Sequence, residues 1–229
     1  MKASKFHNNK KIYNWLVYKI MDNFLEKNSK YYKGHLVDLG CGEMPYRDYF
    51  LNFVHKYTGV DWEYSYHNVK PDVVSNLNEK IELEDNVADT IVCISVLEHL
   101  CEPQVFLNEC YRILKREGYL ILQVPFMWWV HESPYDYFRY TPYGLKYLFE
   151  KSGFKVISIE PQAGIFTTLF LKFNYFTLRF TSIRFFGILI RLFLIPLWFL
   201  LQVLAPIFDK LDRNWELETC GYFVVAEKV

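Results

Sequence analysis

Short apolar runs that stop at glycine, proline or an acid alternate with segments of helical periodicity along most of this chain. That alternation limits the possible folds more than any other feature. The runs "HLVDLG", "KYTGVDW", "PDVVSNL", "ADTIVCISVLEHL", "YLILQVPF", "KVISIEP" and "GYFVVAEKV" read as seven strands. Within 11–28, Ile12, Trp15, Leu16, Ile20, Phe24 and Leu25 recur at helical spacing, so an amphipathic helix leads in. "PQVFLNECYRILKREG" reads as a helix closed by Gly118, with Lys115 and Arg116 in its last turn. "TPYGLKYLFEKSGF" reads as another, with Pro142 in its first turn and Gly153 at its end. Strands separated by helices pair in parallel and need cover on both faces. The expected fold is therefore α/β, a doubly wound, mainly parallel seven-stranded sheet. In such sheets the ligand lies just beyond the C-terminal strand ends, where the strand order reverses.

One segment departs from the pattern. About sixty residues separate the sixth strand from the seventh, and they contain "FFGILIRLFLIPLWFLLQVLAPIF", Phe185 to Phe208, which approaches bilayer length. Before it, "GIFTTLFLKFNYFTLRF" sets Phe166, Leu169, Phe170, Phe173, Phe176 and Phe180 on one helical face, as in an interfacial helix. Arg191, Gln202 and Pro196 oppose a straight crossing. The last strand must return to the same sheet, so the insertion crosses a bilayer an even number of times or not at all. A monotopic or re-entrant hairpin satisfies this. Lys172, Arg179, Arg184, Arg191, Lys210 and Arg213 outnumber Asp209 and Asp212, which suits anionic headgroups. The competing reading is a hydrophobic lid or a homodimer interface. The expected organisation is a helical lead-in over 1–33, a cofactor-binding domain over 34–161 and 215–229, and a hydrophobic helical insertion over 162–214, with membrane-surface contact through 165–208.

Bulk composition excludes some classes. Lys+Arg and Asp+Glu are both 26, so the basic excess of a general nucleic-acid binder is missing. The five cysteines are odd in number and form no C-x-x-C pair, which supports neither a disulfide framework nor structural zinc and favours the cytoplasm. The basic N-terminus has no uninterrupted apolar run and reads as no signal peptide.

The most specific stretch is "VDLGCGEMPY". A strand delivers Asp38 into a loop where Gly40 and Gly42 let backbone approach a ligand closely. Pro45 stands where a dinucleotide fingerprint needs its third glycine, and no G-K-[ST] follows. Asp61, in "TGVDW", ends the second strand; its two carboxylate oxygens can accept from both hydroxyls of a ribose. Together with "DVVSNLNEKIELEDNVADTIVCISVLEHL" and "LKREGYLILQVPF", these motifs resemble the class I S-adenosylmethionine-dependent methyltransferases, in particular the type 11 group. The resemblance runs from about Gly34 to Pro161 and includes the last strand. It implies that Asp38, Gly40 and Gly42 cradle the methionine end of S-adenosyl-L-methionine, and that Asp61 holds the ribose with Trp62 beside it. It further implies that Leu77 packs on the adenine, and that Ser95 and Val96 flank the sulfonium. Asn76 stands where the family often has an aspartate that reads the adenine amino group; its side-chain oxygen can still accept from one. The resemblance gives Glu98 and His99 an architectural role.

The acceptor end should be the loop after the fifth strand, "VPFMWWVHESPYDYFRYTPYGL". A hydroxyl acceptor must lose its proton during attack, so a base is wanted. His131 is the candidate base, with Asp136 and Arg139 orienting the acceptor; the alternative makes Asp136 and Arg139 a structural pair and Thr141 a helix cap. Trp128 and Trp129 either stack on a sugar or cover the sheet edge. His131, Glu132 and Asp136 have no standard metal spacing, and no metal is expected. The expected activity is O-methylation of a sugar or lipid-linked glycan by an enzyme on the cytoplasmic side, peripheral or monotopic at the membrane. The alternatives are a soluble methyltransferase of a small metabolite, or a non-catalytic scaffold that keeps the cofactor fold.

Overall fold

The structure is a computed structural model that describes residues 2–63 and 70–229. Seven strands form one sheet in the order β3-β2-β1-β4-β5-β7-β6. They are β1 (His35–Leu39), β2 (Lys56–Asp61), β3 (Val73–Val74), β4 (Ala88–Ile94), β5 (Leu114–Pro125), β6 (Phe154–Pro161) and β7 (Gly221–Lys228). The first five pair in parallel, and β7 runs antiparallel between β5 and β6. The doubly wound sheet read from the alternation is the observed one. Its order reverses at β1 and β4, which opens a crevice at their C-terminal ends.

Period-two alternation sorts the strand residues onto two cores. Val37, Leu39, Leu120, Leu122 and Val224 point to the face covered by helices α3 (Pro103–Ile113) and α4 (Pro142–Lys151). Leu36, Ile121, Phe223 and Val225 point to the opposite face, under α1 (Trp15–Lys27) and the short α2 (Arg47–Phe50). There Phe24 stacks on Phe223 with ring centroids 3.8 Å apart.

Two boundaries differ from the sequence reading. The lead-in helix starts at Trp15 rather than at residue 11. The helix expected to close at Gly118 ends at Ile113, because Leu114 is fully buried in the sheet core and Lys115 turns to pair with Asp89 at 2.9 Å. Lys115 and Arg116 therefore belong to β5. The α4 expectation holds at both ends. Thr141 Oγ1 accepts from Gly144 N at 3.1 Å, and Gly153 takes φ 92° just past the helix.

The long connection between β6 and β7 folds as two packed helices, α5 (Ile165–Leu178) and α6 (Gly187–Asp209). Asp209, at the end of α6, accepts from Gly164 N, Phe166 N and Thr167 N at 2.9–3.2 Å, and so caps the start of α5. Both helices turn polar side chains inward and leave many apolar ones exposed. α5 buries Thr167, Thr168, Asn174 and Thr177 beside Leu171, and exposes Leu169, Phe173 and Phe176. Two turns before the end of α6, Gln202 is fully buried; its amide donates to Ile12 O at 2.9 Å and accepts from Leu16 N at 3.0 Å. Gln202, read from the sequence as opposing a straight crossing, also ties α6 to the lead-in.

Candidate active site

A cavity of about 750 Å³ lies at the C-terminal ends of β1, β2, β4 and β5, within the usual range of small-molecule sites. All nine residues picked from the sequence as cofactor contacts line it: Asp38, Gly40, Gly42, Asp61, Trp62, Asn76, Leu77, Ser95 and Val96. So does His131.

The loop after β1 is built for close approach. Gly40 has φ 75°, and a Cβ there would stand 2.3 Å from Val96 Cγ2, so a side chain is excluded twice. Gly42, at φ 50°, donates its N–H to Asp61 Oδ2 at 2.7 Å. Asp61 Oδ1 accepts from Trp62 N at 2.8 Å. Each Asp61 oxygen thus keeps a lone pair for a ligand while the carboxylate staples the glycine loop to the end of β2. Asp38 is buried at the floor and accepts from Tyr57 Oη at 2.6 Å. Burial raises its carboxyl to about 7. Ser95, at φ 56°, sits in strained left-handed backbone where β4 ends, and its Oγ donates to Gln123 Oε1 at 2.6 Å.

The far wall comes from the loop after β5. Arg139 and Asp136 form a two-pronged pair, at 2.5 and 2.7 Å. The guanidinium holds the Asp136 carboxyl down at about 2. Asp136 accepts from His131 N at 2.8 Å, and Arg139 donates to Trp129 O at 2.9 Å. Neither side chain lines the cavity, unlike His131. The pair sets the shape of the loop, in line with the structural alternative. Trp128 lines the cavity; Trp129 stacks on it at 4.2 Å and faces a second, smaller hollow with Lys172, Tyr175, Phe176 and Arg179.

Several lining residues were not picked from the sequence. His7, Asn8 and Tyr18 of the lead-in close one side, and Asn8 donates to Glu43 Oε2 at 2.7 Å. Leu171 and Tyr175 of α5 close another. Glu98 and His99 also face the cavity, beside His131, with the two imidazole centroids 4.8 Å apart. The "LEH" run and the loop after β5 were both visible in the sequence, but not that the loop brings His131 beside His99.

The cradle suits S-adenosylmethionine: side-chain-free backbone beside β1, a carboxylate at the end of β2 that can accept from hydroxyls, and the apolar Leu77 and Val96 lining the same cavity. A sheet of this order is the class I methyltransferase fold. Residues 37–122 match the family model described as "Methyltransferase domain". The matched segment is a methyltransferase domain of the kind that uses S-adenosylmethionine as its cofactor. Among solved structures, it is similar to an S-adenosylmethionine-dependent methyltransferase from Archaeoglobus fulgidus, with TM-score 0.58 and 19% identity over 92% of this chain and 94% of the other. Haemonchus contortus phosphoethanolamine N-methyltransferase 2, in complex with S-adenosyl-L-methionine, aligns with TM-score 0.59 and 16% identity over 95% of this chain and 56% of the other. The [4+2]-cyclase SpnF aligns with TM-score 0.56 and 14% identity over 90% of this chain and 80% of the other. At such identities the likeness is one of fold. No curated protein matches the sequence.

Proposed function

We propose that the chain O-methylates a hydroxyl of a lipid-linked or glycan acceptor at a membrane surface on the cytoplasmic side. The observation that carries the proposal is the double role of α5. Leu171 and Tyr175 wall the cavity, while Leu169, Phe173 and Phe176 on the same helix present exposed apolar surface. An acceptor held in a bilayer by its apolar part would meet the cavity across that helix. Polar groups turned inward and apolar groups turned outward are what helices in contact with lipid require.

In this reading Gly40 and Gly42 take the methionine end with Asp38 beneath it, and Asp61 and Trp62 hold the ribose. Asn76 and Leu77 hold the adenine, and Ser95 and Val96 flank the sulfonium. When bound, the cofactor supplies a methyl group on an activated leaving sulfur. The protein's share is alignment and exclusion of water, with the lead-in and α5 closing the walls. The acceptor's proton must also leave, and the Glu98, His99 and His131 group lies at that end of the cavity. Asp136 and Arg139 act by positioning the His131 loop. Incubation with labelled S-adenosylmethionine and a membrane lipid extract tests the proposal. Label in a lipid-linked glycan supports it, and label confined to small water-soluble metabolites overturns it. His131→Ala should lower turnover by about 10²- to 10⁴-fold while S-adenosylhomocysteine binding is kept. Full activity in that variant would remove His131 from the chemistry.

A further inference from the structure

Three potential metal-ligand side chains converge where the loop after β5 meets the turn after β4. Glu98 is fully buried, and among the described residues neither of its carboxylate oxygens has a hydrogen-bond partner. His99 Nε2 and His131 Nε2 stand 3.7 and 3.9 Å from Glu98 Oε1, too far for a hydrogen bond. Both imidazoles have the opposite nitrogen committed. His99 Nδ1 lies 2.6 Å from Tyr135 O. His131 Nδ1 lies 3.2 Å from Trp129 O and 3.3 Å from an Asp136 oxygen. Carbonyls and carboxylates accept, so each Nδ1 carries a proton and each ring turns its Nε2 towards Glu98. The three ligand atoms all lie within 4.8 Å of one another, close enough to share one cation. Ligands about 2.0–2.2 Å from a shared ion stand roughly 3–4 Å apart, close to these separations.

We infer that Glu98, His99 and His131 form a binding site for a divalent transition-metal ion at the acceptor end of the cavity. Two imidazoles and one carboxylate suit a first-row ion such as zinc, manganese or cobalt rather than calcium. The outer contacts have the usual form for metal-bound histidine, with each Nδ1–H held by a carbonyl and that of His131 also by Asp136. Three protein ligands leave a coordination position open towards the cavity. There an acceptor oxygen can bind and become more acidic. That catalytic consequence rests on the proposed O-methylation, whereas the site itself does not.

The chain is stripped with a chelator, then titrated with Co²⁺ by calorimetry and visible absorption. Expected is one tight equivalent, with ligand-field bands for imidazole and carboxylate coordination. Its affinity should fall at least about tenfold in His131→Gln and in His99→Gln. S-adenosylhomocysteine binding, measured on the same samples, reports folding and the cofactor site independently. Lack of a stoichiometric Co²⁺ site in wild type that binds S-adenosylhomocysteine would overturn the inference. So would Co²⁺ affinity unchanged in both variants. Tight Co²⁺ without S-adenosylhomocysteine binding would instead keep the metal site and sink the methyl-transfer reading.

Discussion

Asp38 and Asp61 are two carboxylates on one wall with opposite circumstances. Asp61 is held by two backbone N–H groups, so replacing it with alanine removes a charged acceptor and unpins Gly42. The expected loss of S-adenosylhomocysteine affinity in Asp61→Ala is roughly 2–4 kcal/mol, read by calorimetry on a variant whose circular dichroism is unchanged. Asp38 is buried, its pKa is raised to about 7, and it lies beneath the loop proposed to take the cofactor's ammonium end. A cation there favours the ionised form, so binding should expel a proton. Affinity should then rise by up to about tenfold per pH unit as pH climbs towards 7, and level off above it. Calorimetry in two buffers of different ionisation enthalpy measures the released proton, and Asp38→Asn should abolish it. Without ligand the linkage has the opposite sense. The folded state keeps a proton that the unfolded chain gives up above about pH 4, so this group's contribution to stability is full below that pH and falls as pH rises to about 7. The glycine loop and both aspartates were legible because each lies at or just past the C-terminal end of a strand. The placing of Glu98 and His99 was not, because their partner His131 arrives from 32 residues further along, on a loop shaped by the Asp136–Arg139 pair.

At the scale of elements, strands were easier to read than helix ends. A strand's neighbours impose a period of two that survives in sequence, whereas the end of α3 was decided by burial of Leu114 and the Lys115–Asp89 pair, both tertiary. The apolar insertion was visible as a composition shift, and the side on which it would bury its few polar groups was not. Gln202 shows what that costs. In a helix simply immersed in lipid, Gln202→Leu would be neutral or stabilising. Here it strips partners from Leu16 N and Ile12 O, so it should destabilise the protein by about 1–3 kcal/mol in thermal or denaturant unfolding. A variant more stable than wild type would mean that α6 is not tied to the lead-in as described. The same tie explains why the lead-in, which reads in the sequence as a separate segment, supplies part of the cavity wall: α6 holds the start of α1, and the preceding residues reach across to the glycine loop at Glu43.

For the whole molecule, the question is what covers the outer face of the α5–α6 hairpin. α6 is the one helix among the described residues long and apolar enough to span a bilayer. The hairpin returns to its origin: Asp209 bonds Gly164 and Thr167, and Gln162 N donates to Gly221 O at 2.9 Å, so chain entry and exit lie side by side at the sheet. Gln162 and Asn214 should accordingly both be modified by a reagent on one side of a sealed vesicle. Deleting 165–208 is a poor test, because it would remove Leu171 and Tyr175 from the cavity wall and Gln202 from the lead-in. Charges on the outer face are better. Leu189 and Phe193 are 65% and 72% exposed, one helical turn apart, and neither lines the cavity. Wild type should sediment with anionic liposomes, helped by Arg179, Arg184 and Arg191 around the apolar surface, and high salt should weaken the binding. Leu189→Glu combined with Phe193→Glu should leave the protein in the supernatant with unchanged S-adenosylhomocysteine affinity. If wild type stays in the supernatant as a dimer that the double variant turns into monomers, the face is a protein interface and the lipid-side route to the cavity fails with it.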